Sequence, residues 1–158
     1  YDSPANLFVA GFIGSPSMNL FDAKLVRRDG VVALALASED ARATTWPVQG
    51  HVAERLAEQA TSEGRPVVVG IRPEGLRLAS EAASNTIAGV VDVVEHLGNE
   101  QFVYLRLPGA IFTDTAETQG SVARLPSDAR VHVGQALTVA ADADALHVFD
   151  PATTHRLA

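Results

Sequence analysis

The chain has 158 residues, a formal net charge of −7, no cysteine and 6% aromatic residues. The missing cysteine excludes a disulfide scaffold and any thiolate metal site. The acidic balance argues against nucleic acid and anionic membranes, both of which attract basic surfaces. Hydrophobic residues make up 47%, enough for an ordinary core in one domain or two small joined β subdomains. No apolar run nears the roughly 20 residues that span a bilayer. The opening Tyr1-Asp2-Ser3-Pro4 has neither an initiator Met nor a basic leader, the expected look of a piece of a longer polypeptide.

In chain order, residues 4–13 predict a short helix. Ser3 is the expected cap, Pro4 the first helical residue and Gly14 the stop. Leu7, Phe8, Phe12 and Ile13 would form its apolar face. Ala23–Arg28 and Val31–Ala37 predict two strands around the tight-turn pair Asp29-Gly30. Thr44–Val48 predicts a third, with Pro47 marking an edge or strand end. From Gly50 to Glu63, Val52, Leu56 and Ala60 recur every four residues, which predicts an amphipathic helix closed by Gly64. Val67–Ile71 predicts a buried strand stopped by Arg72-Pro73-Glu74-Gly75. Ile87–Glu95 and Gln101–Leu107 predict a hairpin around Leu97-Gly98-Asn99. In its second arm Val103, Leu105 and Leu107 face one way, Phe102, Tyr104 and Arg106 the other. Ser121–Leu125, Ala136–Ala141 and Leu146–Phe149 complete nine or ten short strands. That number, punctuated by Gly and Pro, indicates a mainly β barrel or sandwich.

Chemical motifs are mostly missing. Lys24 is the sole lysine and has no glycine around it, so no P-loop exists to cradle a triphosphate. No Gly-x-Gly-x-x-Gly supports a dinucleotide. The histidines, His51, His96, His132, His147 and His155, show no ligand spacing, and the expectation is no metal site. Ser15 lacks the context of a nucleophile. Asp142-Ala143-Asp144 lacks the later Gly and Glu of a calcium loop and reads as a solvated turn. Arg72-Pro73-Glu74 has two readings: a strand terminator with an ordinary surface ion pair, or a rigid charged contact for a partner, since Pro73 fixes the backbone.

Four blocks carry a family resemblance: residues 1–19 (Tyr1-Asp2-Ser3-Pro4-Ala5-Asn6-Leu7-Phe8 through Ser17-Met18-Asn19), Val69-Gly70-Ile71-Arg72-Pro73-Glu74, Val93-Val94-Glu95-His96-Leu97-Gly98-Asn99-Glu100, and His147-Val148-Phe149-Asp150-Pro151-Ala152-Thr153. In order and spacing they resemble the C-terminal regulatory part of the MalK/UgpC-type ATPases of carbohydrate ABC importers. The resemblance implies an OB-like β-barrel of the TOBE type with a second small β subdomain, a short N-terminal helix and one inserted amphipathic helix. Residues 1–18 would be a connector from a nucleotide-binding domain, and 19–158 the regulatory domain. It further implies a cytoplasmic homodimer, held at the inner face of the plasma membrane through permease subunits. No cofactor is expected in this stretch, with ATP and Mg bound by the preceding domain. A regulatory protein docks on the domain in enteric relatives, and the matching positions here are Leu7, Leu20, Gly64, Gly70, Gly89 and Glu95. Arg72, Pro73, Glu74 and Gly98 join them as interface candidates. The alternative is a barrel that senses a small ligand, a sugar or an oxyanion.

Overall fold

The predicted alternation of apolar residues builds two antiparallel sheets that close over one core. The computed structural model describes residues 3–37, 44–111 and 120–158. Tyr1 and Asp2, which open the first family block, lie outside the described residues, as does the Phe12 side chain. The first sheet contains β1 (Asn19–Arg28), β2 (Val31–Leu36), β3 (Thr45–Pro47), β4 (Arg65–Ile71), β8 (Ala110–Ile111) and β11 (Leu146–Phe149). Its order is β11-β4-β1-β2-β3, with β8 paired to the start of β1. The second contains β5 (Leu76–Leu78), β6 (Thr86–Leu97), β7 (Glu100–Arg106), β9 (Ser121–Pro126) and β10 (Ala136–Ala141), in the order β5-β10-β6-β7-β9. The architecture is mainly β, a nearly closed OB-like barrel with few helices.

The β1–β2 hairpin turns where expected. Asp29 and Gly30 both take positive φ, 51° and 77°, the pair that matches the twist of the flanking strands. On β7 the alternation also holds: Val103 and Leu105 are sealed while Phe102 and Tyr104 are half-buried. β3 is the edge strand that Pro47 suggested. Its Trp46 is fully buried, meets Phe21 edge-on at 6.2 Å, and donates Nε1–H to Thr86 O on β6 at 3.0 Å. Side chains from both sheets share the main core, among them Leu25, Leu34, Trp46, Val69, Val91, Leu105 and Val139.

Several expectations need correction. The first helix, α1, covers only Leu7–Phe12, and its cap is Asn6, not Ser3. Asn6 is extended and its Oδ1 accepts from Val9 N at 2.9 Å, so Pro4 stays outside the helix. The buried side of α1 is Ala10 with part of Leu7, whereas Phe8 and Ile13 are 68% and 46% exposed. The second helix, α2, stops at Gly50–Leu56. Leu56 O then accepts from the amides of both Gln59 and Ala60 at 3.0 Å, and the chain turns so that Thr61 can bridge to Val26 on β1. Gly64 therefore serves the entry to β4 rather than a helix end. The two- and three-residue strands β8 and β5 are too short to show a period and were not predicted.

Candidate interaction surfaces

The turn after β4 ends the strand as expected, but Arg72 is not at the surface. Pro73–Gly75 forms one 3-10 turn, in which Gly75 N donates to Arg72 O at 2.9 Å. Arg72 is 5% exposed, and its Nη1 donates to Ile13 O, 59 residues upstream, at 2.5 Å. Thus Arg72 is an internal tie between the segment after α1 and the passage from the first sheet to the second. Pro73 is buried as well, and of the three only Glu74 faces solvent.

Leu7, Leu20 and Gly70 do come together, on the outer face of the first sheet. Leu20, with Ala10, Met18, Val68 and Phe149, forms a small second core beneath α1, flanked by Leu7 and Ile111. Leu20 is only 7% exposed. Gly70 has no room for a side chain: a Cβ there would stand 2.5 Å from Met18 Sδ and 3.0 Å from the Phe149 ring. These positions shape packing before they can meet a partner. Asn19, beside them at the start of β1, was not singled out by motif. Its buried amide donates Nδ2–H to Val122 O at 2.9 Å and accepts Val122 N–H at 2.7 Å. It lies along the edge of β9 like a one-residue strand and ties the two sheets.

The remaining candidates belong elsewhere. Gly89 on β6 sits under β7, where a Cβ would come 2.4 Å from Arg106 O. Gly98, φ 69°, makes the β6–β7 turn with open space around it. Gly64, φ 93°, packs on Lys24 and Val26 at the far end of the first sheet. Glu95 is exposed on β6 and accepts from Tyr104 Oη at 3.2 Å. The ten candidate positions therefore form no single site. On the outward side of β6–β7 the half-buried Phe102 and Tyr104 are flanked by two ion pairs, Arg106–Asp92 at 2.9 Å and Arg124–Glu100 at 2.6 Å. An apolar strip with a charged rim is the composition of a protein contact.

A second charged network fixes the C-terminal tail. Asp150 accepts from Ala152 N and Thr153 N at 2.8 and 3.1 Å and pairs with Arg65 at 2.5 Å. The Thr153 and Ala152 amides, then Arg65, hold its carboxyl below the ordinary value of 3.8. Beyond it Thr154 O accepts from Leu7 N at 2.9 Å, Arg156 N donates to Ala5 O at 3.1 Å, and the Arg156 guanidinium donates to Ser3 Oγ. The Asp142 turn carries an ion pair to Arg77 and caps Asp144 N. Beside it opens a cleft of about 360 Å³ lined by Arg77, Ser80, Ser84, Asn85 and Asp142 among others. Among the described residues no three His, Asp or Glu are grouped to hold a metal ion, and no helix is long and apolar enough to cross a membrane.

Two family models match the chain. The MalK OB fold domain matches residues 14–76 and the TOBE domain residues 69–149, overlapping at the turn that holds Arg72. The trehalose/maltose import ATP-binding protein MalK of Thermococcus litoralis is 39% identical over 97% of this chain and 38% of its own length. The sn-glycerol-3-phosphate import ATP-binding protein UgpC of Chromobacterium violaceum is 38% identical over 99% of this chain and 36% of its own. The trehalose import ATP-binding protein SugC of Mycobacterium tuberculosis is 34% identical over 95% and 40%. The chain thus spans under half the length of these relatives. A solved structure of the cytoplasmic molybdate-binding protein ModG superposes with a TM-score of 0.58 at 17% identity, over 84% of this chain and 96% of that one, a likeness of fold alone. The chain belongs to the TOBE-domain family, in the form joined to a MalK-type OB fold that is found in the ATP-binding subunits of sugar ABC importers.

Proposed function

We propose that the chain is the regulatory and dimerisation region of the ATP-hydrolysing subunit of a carbohydrate or glycerol-phosphate ABC importer. The observation that carries this is similarity along 95–99% of the chain to three importer ATP-binding subunits, two named for trehalose and one for sn-glycerol-3-phosphate. With no P-loop in its sequence, this region holds neither ATP nor Mg. Both belong to a nucleotide-binding domain of the longer subunit, which meets the permease at the cytoplasmic face of the membrane. The region's own work is contact with a second copy, and the Phe102–Tyr104 strip with its rim of ion pairs suits such a contact. Sedimentation equilibrium of the chain, alongside an ATPase assay, tests the reading. The expected result is a reversible dimer without nucleotide turnover. A monomer at all accessible concentrations, or turnover by the chain alone, would sink it.

The cleft beside Asn85 favours one second reading, a sensor for a small ligand. Calorimetry with maltose, trehalose, glycerol-3-phosphate and molybdate decides: saturable heat with one of them, lost on Asn85→Ala, would favour the sensor.

A further inference from the structure

We propose that residues 3–18 are a releasable strap, pinned by Arg72 at one end and by the C-terminal tail at the other, and that its release is the regulatory movement of the domain. The idea rests on the regulatory reading above and says which part moves.

The strap has a core of its own. Ala10, Met18, Leu20, Val68 and Phe149 form a cluster separate from the main one between the sheets. Lifting the strap uncovers only that small cluster and leaves the larger core closed. The strap also has little intrinsic hold. A six-residue helix is far below the roughly 12–15 residues at which isolated helices become even marginal in water, so α1 depends on its tied ends and on the packing of Ala10 and Leu7.

The strap's described ties are specific. At the entrance, Ala5 and Leu7 exchange backbone hydrogen bonds with Arg156 and Thr154, and Asn6 bridges His155. At the exit, the Arg72 guanidinium holds Ile13 O at 2.5 Å. Arg72 follows the last residue of β4 and precedes the 3-10 turn that leads to β5. One side chain therefore links the strap to the passage between the two sheets, so a shift of either is felt by the other.

The same geometry gives a role to three positions that the family resemblance marks as regulatory. Leu7, Leu20 and Gly70 all lie in or under the strap. Gly70 is the clearest, because a methyl group there meets Met18 Sδ at 2.5 Å and the Phe149 ring at 3.0 Å, so Met18 must swing aside and the strap loses part of its packing on β4. These positions act by setting the strap's docking equilibrium.

Hydrogen exchange followed by mass spectrometry on the whole chain tests this. In the unsubstituted protein the amides of Ala10 and Ile13 are expected to exchange at least about tenfold faster than those within β1 and β4, as a separately opening unit requires. Arg72→Met and Gly70→Ala should each speed strap exchange at least about tenfold more, with β6–β7 unchanged. Equal rates for strap and sheet in the unsubstituted protein overturn the proposal. So does an unchanged strap in either variant, or equal acceleration of strap and β6–β7. Should a variant fail to fold, the unsubstituted rates still decide, together with Arg72→Lys, which keeps a cationic donor for Ile13 O and should speed strap exchange less than Arg72→Met. The measurement is independent of pairing: run at concentrations where sedimentation finds monomer and dimer, it separates failure of the strap from failure of the dimerisation reading.

Discussion

Removing the Asn19 amide should loosen the joint between the sheets. In Asn19→Ala, Val122 N–H and C=O lose partners at 2.7 and 2.9 Å. Both groups sit at a place where Asn19 and Val122 are 6% exposed, so water does not readily replace the amide. Each buried backbone group left unpaired costs about 1–3 kcal/mol. The pair therefore puts the loss at about 2–6 kcal/mol, a large part of the roughly 5–15 kcal/mol that holds a typical domain folded. Asn19→Asp keeps the acceptor for Val122 N–H but, when ionised, sets a second oxygen against Val122 O, so at neutral pH it should lose at least as much as Asn19→Ala. The assay is urea unfolding followed by circular dichroism, comparing midpoints at constant slope. A loss for Asn19→Ala below about 0.5 kcal/mol, the level of an ordinary surface substitution, would refute the argument that this amide closes the edge of β9.

Three further outcomes follow from particular contacts. Gly89→Ala should destabilise by about 1–3 kcal/mol, because the added methyl meets the Arg106 carbonyl, a backbone atom that cannot swing aside. Gly98→Ala, in open space but at φ 69°, should cost only about 1–2 kcal/mol, the penalty of a left-handed residue. Both are read from urea midpoints, and equal losses larger than this would contradict the distinction between collision and strain. The third concerns acid. The Asp150 carboxyl titrates below 3.8 when folded, so its contribution is complete above the unfolded value and fades as pH falls through the lower folded value. The tail should therefore stay ordered at neutral pH and loosen only in acid below about pH 4, seen as a shift of the Thr153 amide in an NMR titration. An Asp150 carboxyl titrating at or above 3.8 would contradict the assignment.

Strand-forming segments and tight turns were legible because they depend on neighbours in sequence. Asp29-Gly30 and the alternating Val103, Leu105 and Phe102, Tyr104 act through local backbone preference and the two-residue period of a strand. The helices were read too long for a related reason. Ser3-Pro4 has the form of a helix start, but Asn6 offers an equally good cap and the tail takes Ser3 for Arg156. In α2 the pairing of Thr61 with β1 overrides a helical pattern that continues to Ala60. What sequence spacing could not show was contact across the fold. Asn19 and Val122 are 103 positions apart, and Arg65 and Asp150 85. Arg72 in Arg72-Pro73-Glu74 looked like a surface charge because nothing local shows that Ile13 folds back over it. The positions that the family resemblance marks, Leu7, Leu20, Gly64, Gly70, Gly89 and Glu95, include none of these long-range partners, and Gly70 and Gly89 stand where a side chain would meet a neighbour.

Trp46 is the chain's one tryptophan, and it sits where an edge strand of one sheet reaches across to Thr86 of the other. Its indole is dry and against Phe21 only while the sheets are closed. The protein thus contains its own optical probe. Emission from this single ring should redden when the barrel opens and stay constant when only the outer layer near α1 rearranges, so the two movements can be followed in real time without attaching a dye.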